Sequence, residues 1–216
     1  MPIYRTISSK SGDAMAQPRP RGRPRRFEPK SALDAAMRVF WAEGYDGASV
    51  DRLCRAMTMP RASLYQQFRD KEALFLAAIA HYGETRVAAV TEALGPRGRL
   101  ADDLRGFFDA VADLATSEPE APGCLVSCVL ADVAGAKPTF RAELDRRFAA
   151  LEARIAARLR AGRSKLDRGA DTQALALVLA AIARGLMLRA RAGADRQSLA
   201  DAGAAAVALV CRDRSG

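Results

Sequence analysis

Residues 49–68 read Ser49-Val-Asp-Arg-Leu-Cys-Arg-Ala-Met-Thr-Met-Pro-Arg-Ala-Ser-Leu-Tyr-Gln-Gln-Phe68. Ser49 suits the cap of a two-turn helix bearing Val50, Leu53 and Met57. A break follows at Thr58-Met-Pro60, and the proline suits the first turn of a second short helix, where its missing N–H costs nothing. Leu53, Met57, Leu64 and Phe68 can lock the two helices together, which is the form of a helix-turn-helix. Arg61, Ala62, Ser63, Tyr65, Gln66 and Gln67 are left as an outward polar face. Arginine and glutamine can read guanine and adenine edges bidentately, while serine and tyrosine hydroxyls suit phosphates. Many ordinary helix pairs share the pattern, so the flanking chain has to support it.

Upstream, Leu33, Met37, Phe40 and Trp41 mark a helix that Gly44 ends. Downstream, Asp70 caps a long helix through Leu74, Phe75, Ile79, Tyr82, Val87 and Val90 to Leu94, and Gly95-Pro96 stops it. Helical spacing then continues. Leu100, Leu104, Phe107, Val111 and Leu114 predict a fifth helix, and Leu125, Val126, Val129 and Val133 a short sixth. Phe140, Leu144, Phe148, Leu151, Ile155 and Leu159 form an amphipathic stripe. Two last helices, around Leu175–Met187 and Leu199–Val210, are rich in alanine and glycine. Small side chains let helix axes approach closely, so this pair is expected to form a homodimer face, with tight packing inside a monomer as the plainer alternative. No period-2 strand pattern appears. The fold class is all-α with about nine helices: a basic arm over 1–27, a three-helix DNA-binding domain over 28–75, and a further helical domain over 76–216 that carries the expected dimer face.

Charge is distributed to match. The 216 residues carry 34 Lys and Arg against 25 acids, a formal net charge of +9. Residues 1–30 hold +6 of it, residues 31–75 are neutral, and residues 76–216 hold +3. A basic arm ahead of a helix-turn-helix is an electrostatic footprint for a polyanion. Gly22-Arg23-Pro24, flanked by Arg21 and Arg25 and followed by Arg26, resembles an AT-hook core, in which arginines enter a narrow minor groove. A solvated tail that only attracts phosphates is the plainer alternative.

Other function classes are disfavoured. One histidine, His81, argues against a histidine-rich metal site or a chain of imidazole bases, and no metal or cofactor is expected. Neither GxxxxGK[ST] nor GxGxxG occurs. Asp132 and Asp145 have no nucleophile to orient, so an enzyme is not expected. The longest uninterrupted apolar run, Ala174–Ala183, is about half a bilayer span, and no secretory h-region is present. Four cysteines without a CxxC pair suit a reducing cytosol. A cytoplasmic protein without a membrane partner is expected.

Ala35–Leu76 resembles the DNA-binding domain of the TetR/AcrR family of bacterial transcriptional regulators. The resemblance rests on Ala35-Ala-x-x-Val-Phe40, Gly44-Tyr45, Ala48-Ser-Val50, Leu64-Tyr65-x-x-Phe68 and Asp70-Lys-Glu-x-Leu74. It implies that Ser49 and the helix from Pro60 to Phe68 face DNA. By that resemblance Arg61, Ala62 and Gln66 fall at bases, and Ser63, Tyr65, Gln67 and Lys71 at phosphates. Thr58 stands where the family commonly has glycine, and a β-branched residue at positive φ is costly, so a different turn geometry is expected there. The resemblance also implies a dimeric, ligand-responsive regulator, most often a repressor, on a pseudo-palindromic double-stranded DNA operator. A small-molecule pocket among the middle helices would be lined by Phe107, Phe108, Phe148 and Met187. Cys124 and Cys128 lie one helical turn apart behind Gly123. A thiol at a helix start has a lowered pKa, so an oxidant or electrophile is the alternative effector, against two plain core cysteines. Cys54 and Cys211 are expected to fill core space. The rival class is an architectural DNA-binding protein held mainly by its arm.

Overall fold

A computed structural model describes residues 29–166 and 169–211, so the arm with Arg21, Arg23, Arg25 and Arg26 lies outside the described residues. Helix α1 (Pro29–Gly47) buries Ala36, Met37, Phe40 and Trp41, and its rod breaks at Gly44, where φ is +74°. Nothing lies within 4 Å of a Cβ added there, so that glycine answers to backbone conformation alone. Helix α2 (Val50–Ala56) starts at Ser49, whose side chain accepts a hydrogen bond from the Arg52 amide at 3.1 Å. Helix α3 (Arg61–Phe68) begins after Pro60, which takes the extended cap position (ψ 146°) rather than the expected first helical one. Asp70 caps α4 (Lys71–Tyr82) by accepting from the Ala73 amide at 2.7 Å.

The α2–α3 turn corrects one expectation. Thr58 adopts φ 51°, so the geometry usually left to glycine is kept and a β-branched residue carries its strain. Thr58 is exposed, so nothing packed around it compensates. Thr58→Gly is therefore expected to stabilise the protein by about 1 kcal/mol, the left-handed penalty less the extra entropy of a glycine. Urea unfolding of the two proteins checks it; an unchanged midpoint would place the strain elsewhere.

The predicted long fourth helix is one rod in three parts. Helix α4 runs through a π-helical turn (Gly83–Val87) into α5 (Ala88–Ala93). Helix α6 (Leu100–Ala115) follows, then a second π-helical turn (Leu125–Leu130) that continues into α7 (Ala131–Val133). Helices α8 (Pro138–Ala161), α9 (Thr172–Arg191) and α10 (Arg196–Val210) complete the chain. Counting each continuous rod once gives nine among the described residues, with no strand.

Two packed regions share the α4–α5 rod. Leu74, Phe75, Ala78, Ile79 and Tyr82 of α4 lie buried against α1, where the His81 ring nitrogen meets Asp34 at 2.8 Å. Phe140, near the start of α8, joins Phe75 and Tyr45 with ring centroids 5.3 and 5.0 Å away. Lys137 donates to Glu72 across the same junction at 2.7 Å. The second region packs α8 on α9 and α10 on α6. The backbone of α10 comes so close to α6 that a Cβ at Gly203 would stand 2.5 Å from that of Phe108. Asp103 and Arg158 form a buried ion pair at 2.7 Å, and Arg158 also donates to the Gly98 carbonyl.

Candidate nucleic-acid interface and effector cavity

Leu53, Met57, Met59 and Leu64 are buried between α1, α2 and α3 and hold the α2–α3 pair at a fixed angle. On the opposite side Arg61, Ala62, Tyr65, Gln66 and Gln67 are exposed together, and Ser63 is half-buried. The polar face expected from spacing is thus presented as one surface. Arg61 reaches Asp51 at 3.3 Å and lies 5.9 Å above the Tyr65 ring. Both partners of that pair are exposed, where an ion pair contributes little and is readily exchanged. The Ser49 hydroxyl oxygen is engaged as a cap, which leaves its O–H as a donor. Lys71 is more constrained than its sequence position suggests. Its ammonium sits 4.6 Å above the Tyr45 ring, and partial burial lowers its pKa.

Behind this head, α5, α6, the second π-turn, α8 and α9 enclose a cavity of about 90 Å³. Phe107, Phe148, Met187 and Cys124 line it, as expected. Phe108 does not: successive helical residues are about 100° apart, so it points at Gly203 of α10 instead. Cys128 is not part of the lining either. Arg147 and Arg184 are part of it, and spacing arguments restricted to apolar residues passed over both. No local spacing marks either one, because both are placed by the packing of α8 on α9.

Cys124 stands at a helix start as expected, at the cap of the second π-turn. Cys124 is the extended residue before the π-turn and is buried. Its amide donates to the Cys128 sulfur at 3.5 Å, and the Cys128 thiol points to the Met187 carbonyl at 3.8 Å. Burial raises the Cys128 pKa, and the Cys124 amide offsets this only in part. Helix-start activation is therefore not found at Cys128. Gly123 is confined by the same packing: its φ is +96°, and a Cβ there would meet the Met187 carbonyl at 2.8 Å and the Cys128 sulfur at 2.9 Å. None of the four cysteines, Cys54 and Cys211 included, forms a disulfide.

A third surface lies on the outside of α9 and α10. Ala174, Val178, Ala181 and Leu188 are exposed along α9, with Gly185 on the same line, in alternating steps of four and three. Ala202, Ala205 and Leu209 repeat that spacing on α10. Leu209 is 71% exposed, Leu188 54% and Val178 52%. Thr172–Arg191 contains an 18-residue window long and apolar enough to cross a membrane (mean hydropathy 1.5), although no uninterrupted apolar run within it is that long. Its other face packs against α6, α8 and α10.

Comparison with known proteins bears on these surfaces. The family model described as bacterial regulatory proteins, tetR family, matches residues 32–78. That described as the tetracyclin repressor-like C-terminal domain matches residues 101–206. The HTH-type transcriptional repressor ComR of Escherichia coli (strain K12) is 31% identical over 183 residues, 83% of this chain and 87% of ComR. Among solved structures, a cysteine mutant of the TetR family transcriptional regulator CifR, complexed with 26-base-pair operator DNA, aligns with a TM-score of 0.78. Its identity is 29% over 86% of this chain and 98% of its own. Reduced NemR of E. coli shares the fold, with a TM-score of 0.74 at 22% identity over 87% of this chain and 98% of its own. The relatives are transcriptional regulators, not enzymes. The chain belongs to the TetR family of bacterial transcriptional regulators.

Proposed function

We propose that the chain is an effector-responsive transcriptional repressor that binds a pseudo-palindromic operator as a homodimer. Residues 28–75 read DNA, and residues 76–216 bind the effector and pair the subunits. The carrying observation is the exposed face of α3: a long, weakly held arginine beside two glutamines, on a helix fixed from behind by buried Leu64. Such a face fits a major groove, with Ser49, Ser63, Tyr65 and Lys71 placed for phosphates. The CifR complex with operator DNA supports the same reading. The arm adds phosphate contacts through Arg21, Arg23, Arg25 and Arg26, with insertion into an A·T-rich minor groove as its sharper role. Helix α9 is a core and pairing helix, and the protein works in the cytoplasm.

Arg61 provides the test. Arg61→Ala should cost about 1–3 kcal/mol on the cognate site and relax preference at one base pair per half-site. Affinity measured across single-base operator variants decides it. Uniform weakening with unchanged preference would move Arg61 to a phosphate, and binding with no sequence preference in the parent protein would favour an architectural role.

The cavity supplies the effector response. A molecule bound among α5, α6, α8 and α9 spreads the elements that hold the α4–α5 rod and alters the spacing of two DNA heads. The coupling is the ligand's differential affinity for the two spacings. An electrophile is the second route, because Cys124 lines the same cavity. Cys124 is buried, which limits its access to reagents and makes reversible binding the primary route.

A further inference from the structure

The effector cavity has a chemical polarity. Most of its wall is hydrocarbon, including Phe107, Val111 and Leu114, but Arg147 and Arg184 enter it and no carboxylate does. Neither guanidinium is fully used. Arg184 donates through Nη2 to Glu152 at 2.6 Å and to the Phe148 carbonyl at 3.3 Å, while its Nε is buried without a partner. Its Cζ lies 3.8 Å from the centroid of the Phe148 ring, which fixes the plane of the group. Arg147 donates through Nε to Glu143 at 2.7 Å, and that carboxylate is shared with Arg146. Arg146 is largely exposed and outside the lining, so within the wall each arginine is held by one glutamate, and what stays open is the unused guanidinium N–H groups.

We propose that the effector is a short-chain organic carboxylate, its oxygens between Arg147 and Arg184 and its tail against Phe107, Val111 and Leu114. The proposal rests on the effector-responsive reading above and names the ligand class of the same cavity. A buried N–H without a partner forfeits a hydrogen bond that a carboxylate oxygen restores, and a charged acceptor makes the bond stronger. Guanidinium groups match carboxylates in shape as well as charge. A cation would meet two arginines and no acid in the lining, and a neutral molecule would offer the open guanidinium N–H groups only uncharged acceptors. The volume of about 90 Å³ is below the roughly 150 Å³ of a cavity that accepts benzene, which limits the tail to about three or four carbons unless the walls yield.

The same geometry gives a route outward. The Arg147 guanidinium occupies the space that a Cβ at Gly83 would need, against the first residue of the π-turn in the α4–α5 rod. An anion that draws Arg147 inward removes that contact from the rod whose other end carries Lys71.

Calorimetric titration of the full chain with butanoate and pentanoate, against butanamide and pentanamide, tests the class. The acids should bind at least about tenfold more tightly than the amides, since charged hydrogen bonds are about twice as strong as neutral ones. Arg184→Gln and Arg147→Gln should each bring the acid down to the level of the amide while leaving the amide unchanged. Two variants are needed because loss of Arg184 strips Glu152 of its partner and can impair folding. Equal binding of acid and amide, no binding of the acids, or undiminished acid binding by both variants would overturn the proposal. Selection of DNA from a random pool by the ligand-free protein runs beside it. Recovery of an inverted-repeat site without any carboxylate preference would leave the regulator standing and remove only the ligand class.

Discussion

Asp103→Ala is expected to destabilise the fold by about 3–5 kcal/mol, enough to unfold much of a marginally stable protein. Asp103 and Arg158 are 5% and 7% exposed, and the carboxylate also accepts from the Arg97 amide at 3.1 Å. Removing it leaves a buried guanidinium with one carbonyl for a partner and orphans an amide. The pH dependence has a definite sign. Burial alone would raise the Asp103 pKa; the hydrogen bonds from Arg158 and from the Arg97 and Gly98 amides outweigh it and hold the carboxyl below its usual range. A depressed folded-state pKa contributes stability above the unfolded value of about 3.9, and loses it as pH falls through the folded value. Urea unfolding at neutral pH should therefore show the full difference between wild type and variant, and the difference should shrink in acid. Asp103→Ala with Arg158→Met should recover much of the loss, because a pair replaced whole by apolar groups is often close to neutral. A small effect of the single variant at neutral pH would mean that water reaches the pair.

That pair marks a boundary in what the sequence discloses. The periodicity that places Leu100, Leu104 and Phe107 inside α6 assigns Asp103 to a polar position, and nothing near it in the chain names Arg158 as its partner, 55 residues away. The local features were legible because their causes are local. Ser49 and Asp70 cap the helices they precede, and Leu53, Met57 and Leu64 are buried as their spacing requires. The two π-turns were not. Each shifts the register of side chains without any compositional mark, and one carries Cys128 and is capped by Cys124. Cys124 takes the helix-start position its place after Gly123 suggests, but its burial is set by tertiary packing, which nothing local announces. Half of the site was hidden for a related reason. The hydrophobic stripe of α8 identified Phe148, but polar cavity residues are placed by tertiary packing, and Arg147 and Arg184 meet only when α8 and α9 are side by side.

The largest functional effect is expected from Ala181→Glu. Ala181 sits midway along the outward stripe of α9, where steps of four and three residues present small side chains in a line, and a Cβ added at neighbouring Gly185 meets nothing within 4 Å. Two such helices from one subunit and two from a partner would interdigitate as a four-helix bundle, with Val178, Leu188 and Leu209 as the buried knobs. A glutamate at that point, facing its symmetry mate, puts two like charges into an apolar seam while leaving the core of each subunit untouched. Sedimentation should report a monomer, and near-native circular dichroism should show that the subunit remains folded. Operator binding should fall by roughly 10²–10⁴-fold, the advantage of linking two half-site contacts, while affinity for an isolated half-site stays as it was. That contrast separates lost pairing from lost DNA reading: a damaged head would weaken both sites. A variant that remains dimeric and binds the full operator normally would move the interface away from α9 and α10.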